Sequence, residues 1–486
     1  MSESQKHSVS IAVVGSGYVG LVAAACFAEI GHDVICVDND ESKVQSLQQG
    51  EIPIHEDFLP ELLARHRNSR IRFTTDLRAA TQQADAIFIA VGTPQSQTGS
   101  ADLSYVDAVA SEIARSIDGY KVIVEKSTVP VYTNEWICRV IERNGISTDL
   151  FDIASNPEFL REGTAVVDFL HPDRIVIGAQ TARATELLQR IYAPLTSGAY
   201  YDEADAVPGP CSRQQVPPLL QTSTKAAEII KHASNAFLAT KISFINAVAN
   251  ICEAVGADVE DVARGMGMDA RIGPKFLRAG VGYGGSCFPK DVAAFRNVAE
   301  LVGVDFALLR AVETINEEQK QRFFQKIRAA LWTFRGKSLC VLGLAFKGGT
   351  DDIRESPALD IVKQLLKEGA KVNAFDPAAS ERAKEMIPPD EQMRYCSDPY
   401  EAAVDADALL ILNDWQEFVE LDLERLRSTL RYPIVIDGRN LYDPAKMAQL
   451  GFTYLSVGRP ANIPHSDMTS HVPHGGLYKP RNPHGL

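Results

Sequence analysis

The sequence predicts an α/β protein with two Rossmann-like, doubly wound parallel sheets joined by a central region built on one long helix. Three observations predict it. Strand and helix patterns alternate from residue 9 to 178 and again from 337 to 440, as parallel sheets require. Between the two runs, KAAEIIKHASNAFLATKISFINAVANICEAV contains no Gly or Pro and ends at Gly256. At 486 residues the chain is also too long for one ordinary core.

The first alternation opens with a strand (SIAVVG), a helix from Leu21 to Ile30, a stop at Gly31 and a second strand (DVICVD), which together make a βαβ unit. IRFTT, ADAIFIAVG, KVIVEKST, FDIASNP and DRIVIG continue it. Residues 203–223, rich in Pro, Ser and Gln, read as an exposed loop or linker at the end of a first domain over 1–222. A helical middle follows over 223–334. Along its long helix Ala226, Ile229, Ala233, Phe237, Phe244 and Val248 recur at helical spacing. A helix of this length often spans domains or an oligomer interface. SLCVLGLAF, a helix from Asp360 to Glu368, KVNAFDP, ADALLILND and PIVIDGRN form the second alternation, within 335–460. The polar segment 461–486 holds four of the ten histidines, and its composition points to a disordered tail rather than a metal site.

Composition narrows the function. A formal net charge of −14 argues against a nucleic-acid or anionic-membrane surface, while leaving room for a local basic pocket. No run of about 18 apolar residues is present, so no membrane span is expected. The polar start MSESQKHSVS leads straight into a strand and does not read as a secretory signal. The eight cysteines are scattered without CxxC pairs, with Cys26, Cys36, Cys252 and Cys340 in apolar patterns. That usage fits a reducing, cytoplasmic protein with neither disulfide framework nor metal site.

Two motifs carry chemistry together. Gly15-Ser16-Gly17-Tyr18-Val19-Gly20 lies between a strand and a helix, where glycines permit a tight turn and helix N–H groups face a pyrophosphate. Asp38 ends the next strand, placed to accept from ribose hydroxyls and to repel a 2′-phosphate, so NAD is favoured over NADP; Lys43 is nearby. Far downstream, Gly282-Tyr283-Gly284-Gly285-Ser286-Cys287-Phe288-Pro289-Lys290-Asp291 sets one cysteine in a glycine-rich loop. A lone cysteine is more often a buried structural thiol. A nucleophilic thiol beside a hydride acceptor, however, is the equipment for oxidising an aldehyde to an acid. Glu158 and Glu162, flanking Arg161 at a strand's carboxyl end, suit acid–base work and equally suit a solvated helix start. Lys231 and Asn235 share one helix face, and by default such a Lys is solvated. Lys347 follows a strand–glycine layout that suits phosphate contact, and Arg439 sits at another strand's carboxyl end; each alone reads as surface charge.

GSGYVG, VGTP, EKSTVP, NPEFLREGTAVVDF, KHASN, GYGGSCFPKD and LGLAFKGGTDDIRES, in this order, resemble the UDP-glucose 6-dehydrogenases of the UDP-glucose/GDP-mannose dehydrogenase superfamily. The likeness runs from about residue 9 to 458. It implies an NAD-binding first domain, a central dimerisation domain and a UDP-sugar-binding last domain. It implies Cys287 as nucleophile, Lys231, Asn235 and Asp291 as its electrostatic partners, and Glu158 as general base with Thr128 helping to hold water. Around NAD it sets Gly15, Gly17, Tyr18, Val19, Gly20, Asp38, Lys43, Thr93, Thr128, Glu162 and Arg354. Around the sugar nucleotide it sets Glu158, Phe159, Leu160, Arg161, Lys231, Asn235, Arg278, Tyr283, Gly284, Phe346, Lys347 and Arg439, with Arg271 reaching in from a neighbouring subunit. The implied reaction is four-electron oxidation of UDP-glucose at C6, with self-association through the central helix. The alternatives are another nucleotide-sugar 6-dehydrogenase, acting on GDP-mannose or a UDP-N-acetylhexosamine, a two-electron hydroxyacid dehydrogenase, and a non-catalytic NAD-binding regulator. The segment 203–223 and the polar tail depart from the family's pattern.

Overall fold

The expected alternation of strands and helices occurs twice in the computed structural model, which describes residues 8–94, 101–210 and 216–461. The chain divides into two compact units. The first holds the chain up to Phe244 with Tyr283–Glu318 and Ala345–Ser356; the second holds Ile245–Gly282, Gln319–Leu344 and the chain from Pro357.

The first unit is built on eight strands: β1 (Ser10–Val14), β2 (Asp33–Val37), β3 (Ile71–Thr74), β4 (Ala86–Ile89), β5 (Lys121–Glu125), β6 (Phe151–Ser155), β7 (Ile175–Ala179) and β8 (Leu219–Thr222). They lie in the order β3-β2-β1-β4-β5-β6-β7-β8. The strands read as continuous apolar runs because both faces are covered. Ile11 and Val13 join Leu21, Phe27 and Leu188 on one face, while Ala12 and Val14 join Val106, Ile113 and Ile137 on the other. Phe27 anchors the first layer, its ring 4.7 Å from that of Phe88 and 5.1 Å from that of Phe169.

Two details differ from the sequence reading. Between β6 and β7 the pairing is antiparallel and short, Ala154 opposite Ala179 and Ser155 opposite Gly178. The connecting helix Ala165–Leu170 packs on the helix Tyr18–Glu29 instead of making a crossover, so β7 returns in the opposite sense. The segment 203–223 is also more than an exposed linker. Val207 is buried and its N–H donates to Tyr200 Oη at 2.8 Å. Leu219–Thr222 forms β8, parallel to β7. Its prolines precede the strand, where no ladder donor is lost. The expected tail lies, from residue 462 on, outside the described residues.

The second unit carries six parallel strands, β9 (Ser338–Leu342), β10 (Lys371–Phe375), β11 (Met393–Tyr395), β12 (Ala408–Ile411), β13 (Ile434–Asp437) and β14 (Thr453–Ser456). Their order, β11-β10-β9-β12-β13-β14, reverses between β9 and β12, the crevice where ligands collect in open α/β sheets.

The long helix Thr224–Val255 has 32 residues, and Gly256, at φ +79°, ends it in the left-handed conformation. Its small residues Ala227, Ala236 and Ala239 are buried. The large apolar residues of the stripe read from the sequence are not core. Ile229, Phe237 and Phe244 are 42%, 66% and 52% exposed, and Ile251 and Val255 continue the same exposure. The helix packs through its alanines and its polar face, which leaves the bulky face outward.

Two glycines of the first turn test the packing. Gly20 has no room for a Cβ, which would fall 1.8 Å from the Gly15 carbonyl oxygen, whereas a Cβ on Gly17 meets nothing within 4 Å. Overpacking of this kind costs about 1–3 kcal/mol. Gly20→Ala is expected to lower the melting temperature by roughly 5 °C or more and Gly17→Ala to leave it unchanged, as read by calorimetry.

Candidate active site

The turn after β1 is shaped by contacts that exclude side chains. Gly15 sits at φ +101°, and a Cβ there would lie 2.6 Å from the Ala90 carbonyl oxygen. The open space over Gly17 is the cradle that the backbone approach of a pyrophosphate demands, so the turn fits a dinucleotide. Asp38, at the end of β2, accepts from Ser16 N at 2.8 Å, Ser16 Oγ at 2.6 Å and Lys43 Nζ at 3.1 Å. Burial pulls its pKa up, but these donors outweigh burial and hold it below the usual carboxylate range. The acid is therefore ionised and oriented. Tyr18 Oη donates to the buried Glu56, and both accept from Gly163 N, at 2.7 and 2.8 Å. The fingerprint helix is thus tied to the end of the Glu158–Gly163 loop.

The carboxyl end of β6 and the long helix meet in a buried ion pair. Lys231 Nζ donates to Glu158 Oε1 at 2.8 Å, with both side chains 5% exposed. Leu160 N donates to the second oxygen, Oε2, at 2.7 Å. Burial raises the pKa of Glu158, but the Lys231 charge and these donors outweigh it, so the group stays a carboxylate. Burial lowers that of Lys231, but the negative charges of Glu158 and Asp291 outweigh it and keep the ammonium. Breaking such a pair leaves a bare buried charge, typically about 3–5 kcal/mol. One turn along the helix, Asn235 Nδ2 donates to Asp291 Oδ2 at 2.5 Å. Asp291 lies in the first turn of the helix Phe288–Leu301, which Cys287 precedes at the N-cap. Burial pushes the Cys287 thiol up to about 11, with Lys231 pulling it down and Glu158 and Asp291 adding to the rise. The resting thiol is protonated, because burial outweighs the nearby Lys231 charge.

The loop behind the thiol needs glycine. Gly285, at φ +83°, leaves no space for a Cβ, which would fall 2.9 Å from the Phe346 ring. Tyr283 is clamped by Asn316, which accepts from its N–H at 2.8 Å and donates to its carbonyl at 3.0 Å. Glu162 accepts from Ser286 Oγ at 3.0 Å and from Arg354 Nη2 at 3.1 Å. Thr93 Oγ1 donates to the Thr128 carbonyl at 2.9 Å and accepts from Lys290 Nζ at 3.1 Å. The Lys347 ammonium lies 5.7 Å from the Phe346 ring centre. Phe159 carries the Arg174 guanidinium 3.9 Å above its ring. Arg161 is turned elsewhere, in a two-point pair with Asp168 at 2.9 and 2.5 Å, and does not join the Glu158–Lys231 cluster.

Within the second unit, two guanidiniums flank the strand-order reversal. Arg278 pairs with Asp414 at 3.2 Å. Arg439 donates from Nε to the Leu412 carbonyl at 3.0 Å, and a Cβ on Gly280 would approach its side chain at 3.4 Å. Burial lowers the Arg439 pKa against the upward pull of Asp414. Arg271 is 89% exposed and held by Asp269 at 2.6 Å. Asp376, which follows β10 as Asp38 follows β2, is sealed by Leu344 N at 2.7 Å and Asn413 Nδ2 at 3.1 Å.

Several residues given no role in the sequence reading belong to this architecture. Lys126 is buried, donates to Asn156 Oδ1 at 3.0 Å, and is lowered to about 8 by burial, against the upward pull of Glu158. His232 is buried and its Nε2 lies 2.6 Å from the Val129 carbonyl oxygen. The only sequence signal for Lys126, Asn156, His232 and Ser286 is their place inside the quoted motifs; Glu56 has none.

Comparison with known proteins places this geometry. Profiles of the UDP-glucose/GDP-mannose dehydrogenase family match in three parts: its NAD binding domain over residues 9–196, its central domain over 225–318 and its UDP binding domain over 340–444. The UDP-glucose 6-dehydrogenase TuaD of Bacillus subtilis is 46% identical over 452 residues, 93% of each chain. The UDP-glucose 6-dehydrogenase of Rhizobium meliloti is 46% identical over 93% of this chain and 100% of its own. Among solved structures, a UDP-glucose dehydrogenase from Pyrobaculum islandicum superposes with a TM-score of 0.82 at 38% identity, over 93% of this chain and 98% of its own. With three family domains matched in order and relatives of this identity along nearly the whole chain, the protein belongs to the UDP-glucose/GDP-mannose dehydrogenase family.

Proposed function

We infer that the protein catalyses the NAD-dependent oxidation of UDP-glucose to UDP-glucuronate: UDP-glucose, two NAD⁺ and water give the acid, two NADH and two protons. The observation that carries this reading is the coexistence, in one compact unit, of the dinucleotide turn and a thiol beside the Glu158–Lys231 pair. The curated relatives at 46% identity are UDP-glucose 6-dehydrogenases, whereas a UDP-D-ManNAc dehydrogenase structure from Pyrococcus horikoshii shares 26%. That difference favours UDP-glucose over the acetylated sugars.

NAD, when bound, supplies the hydride acceptor for both oxidations. Gly15, Gly17, Tyr18, Val19 and Gly20 would hold its pyrophosphate and Asp38 its ribose, with Lys43, Thr93, Thr128, Glu162 and Arg354 nearby. Cys287 adds to the C6 aldehyde, forming a C–S bond, and so keeps the half-oxidised sugar from leaving. Its thiohemiacetal becomes a thioester in the second oxidation. Lys231, kept cationic by its neighbours, and Asn235 stabilise the oxyanions that develop, commonly a large catalytic contribution. Glu158, held as a carboxylate, takes a proton from the water that hydrolyses the thioester, with Thr128 helping to hold that water. Phe159, Leu160, Tyr283, Gly284, Phe346 and Lys347 surround the sugar nucleotide. Arg278 and Arg439 each offer a planar guanidinium fork suited to a diphosphate. Arg161, engaged by Asp168, has the weakest geometric support for substrate contact. In this reading residues 1–222 bind NAD, 223–334 associate subunits and 335–460 bind the UDP moiety, and the free cysteines suit a reducing cytoplasm.

Self-association has its own support. Ile229, Phe237, Phe244, Ile251 and Val255 are exposed along the long helix, at steps of seven or eight residues up to Ile251, a spacing that suits a second helix. Arg271, exposed on one subunit, would then reach a neighbour's site.

Three measurements test the reading. NADH yield per UDP-glucose is expected to be two; a yield of one with free aldehyde would overturn the four-electron reaction. Glu158→Gln keeps an acceptor for Lys231 but cannot take a proton, so it is expected to reduce NAD in a burst and accumulate enzyme acylated at Cys287. Turnover should fall by about 10²–10⁴-fold, and intact mass should reveal the hydroxylamine-labile adduct. Replacing Phe237 and Phe244 together by Asp is expected to yield monomers in light scattering; an unchanged assembly would place the interface elsewhere.

A further inference from the structure

A protonated, half-buried thiol cannot attack an aldehyde until its proton has somewhere to go. The loop carrying Cys287 supplies a path. Ser286 Oγ lies 3.5 Å from Cys287 Sγ and donates to Glu162 Oε1 at 3.0 Å. With its own proton directed at Glu162, the hydroxyl presents its oxygen to the thiol S–H. We propose that Ser286 is a catalytic residue that relays the Cys287 proton to Glu162 when the thiol adds to the aldehyde and returns it when the thioester is hydrolysed. The inference rests on the assignment of Cys287 as nucleophile.

The transfer balances. The S–H bond breaks as a Ser286 O–H bond forms, the original Ser286 proton passes to Glu162 Oε1, and the net change is thiol plus carboxylate to thiolate plus carboxylic acid. The thiolate electron pair then forms the C–S bond. On hydrolysis the departing thiolate takes the proton back by the reverse route.

Glu162 is suited to a receiving role and Glu158 is not. Glu158 is held well down as the partner of Lys231. Glu162 is pushed up to about 7, first by burial and next by the negative charge of Asp352. A group near neutrality can take and release a proton at working pH. Arg354 and Ser286 limit that rise, and Thr350 Oγ1 adds a weak donor at 3.4 Å. Facing the thiol are Lys231, Glu158, Asp291 and Arg354, none of which the two tested substitutions remove. The loop is also fixed: Gly285 N donates to the Arg354 carbonyl at 3.0 Å, and the Arg354 side chain grips Asp352 at 2.7 and 2.8 Å. Acceptor and relay are therefore positioned by the same short segment.

The test is the pH profile of iodoacetamide alkylation at Cys287, read by peptide mass on the full-length enzyme without substrate. Alkylation through the relay follows ionisation of Glu162, whereas Ser286→Ala and Glu162→Gln leave the thiol to ionise alone, so the midpoint is expected to move upward by at least about one pH unit and alkylation at pH 7 to slow by about tenfold. Ser286→Thr, which keeps the hydroxyl, is expected to restore the wild-type profile. A midpoint unchanged or lowered in both Ser286→Ala and Glu162→Gln overturns the relay. Residual turnover of the alkylated wild-type enzyme separates the two ideas. If alkylation at Cys287 leaves NADH formation intact, the nucleophile assignment itself fails. If it abolishes the second oxidation while Ser286→Ala keeps the wild-type profile, only the relay fails.

Discussion

The buried pair between Lys231 and Glu158 is the contact on which the catalytic arrangement depends. It fastens the long helix to the loop that leaves β6, and it sets the charge state of both partners in a place where neither would be stable alone. One turn further along the same helix, Asn235 orients Asp291, and through it the start of the helix that Cys287 caps. The orienting groups thus come from a rigid helix and from strand ends, while the nucleophile sits on a glycine loop shaped around Phe346. Tyr18 and Glu56 add a second tie, from the dinucleotide turn to Gly163. Chemistry and cofactor turn are linked by these two sets of contacts within one unit.

Much of the fold was legible because its signals are local. Gly15, Gly20 and Asp38 announce a βαβ turn by spacing, and the structure supplies the reason in the Ala90 and Gly15 carbonyls that forbid a Cβ. Both alternations, the long helix and its Gly256 stop could be read in the same way. What escaped depends on pairing at a distance. The antiparallel turn of β7 is decided by where Ala165–Leu170 packs, and β8 was hidden by the prolines before it. The helix stripe was recognised as periodic, but periodicity does not say which of two faces points outward. Ala236 and Ala239 settle that by packing inward and leaving Phe237 and Phe244 exposed.

For the site, residue types and motif order placed Cys287, Glu158, Lys231, Asn235 and Asp291 together before any geometry was known. Their ionisation could not be read in the same way. A nearby lysine suggests a thiolate, yet burial prevails and the thiol stays protonated. Arg161, expected beside the substrate, pairs with Asp168. Glu56, from a loop with no motif, emerged only because the fold brings it to Tyr18 and Gly163.

The second sheet repeats the first in outline, with an acid after β10 where the first has Asp38. There Gly343 packs against Asn413, and the acid is occupied by Leu344 N and by the Asn413 amide. The open cradle over Gly17 has no counterpart in that turn, which also lacks the GxGxxG spacing. With one such berth among the described residues, a chain that removes two hydrides from the same sugar has to swap a spent dinucleotide for a fresh one halfway through. The covalent hold on the sugar is then a matter of timing: the lifetime of the thiohemiacetal must outlast that exchange, and the rate of cofactor departure becomes a ceiling on turnover.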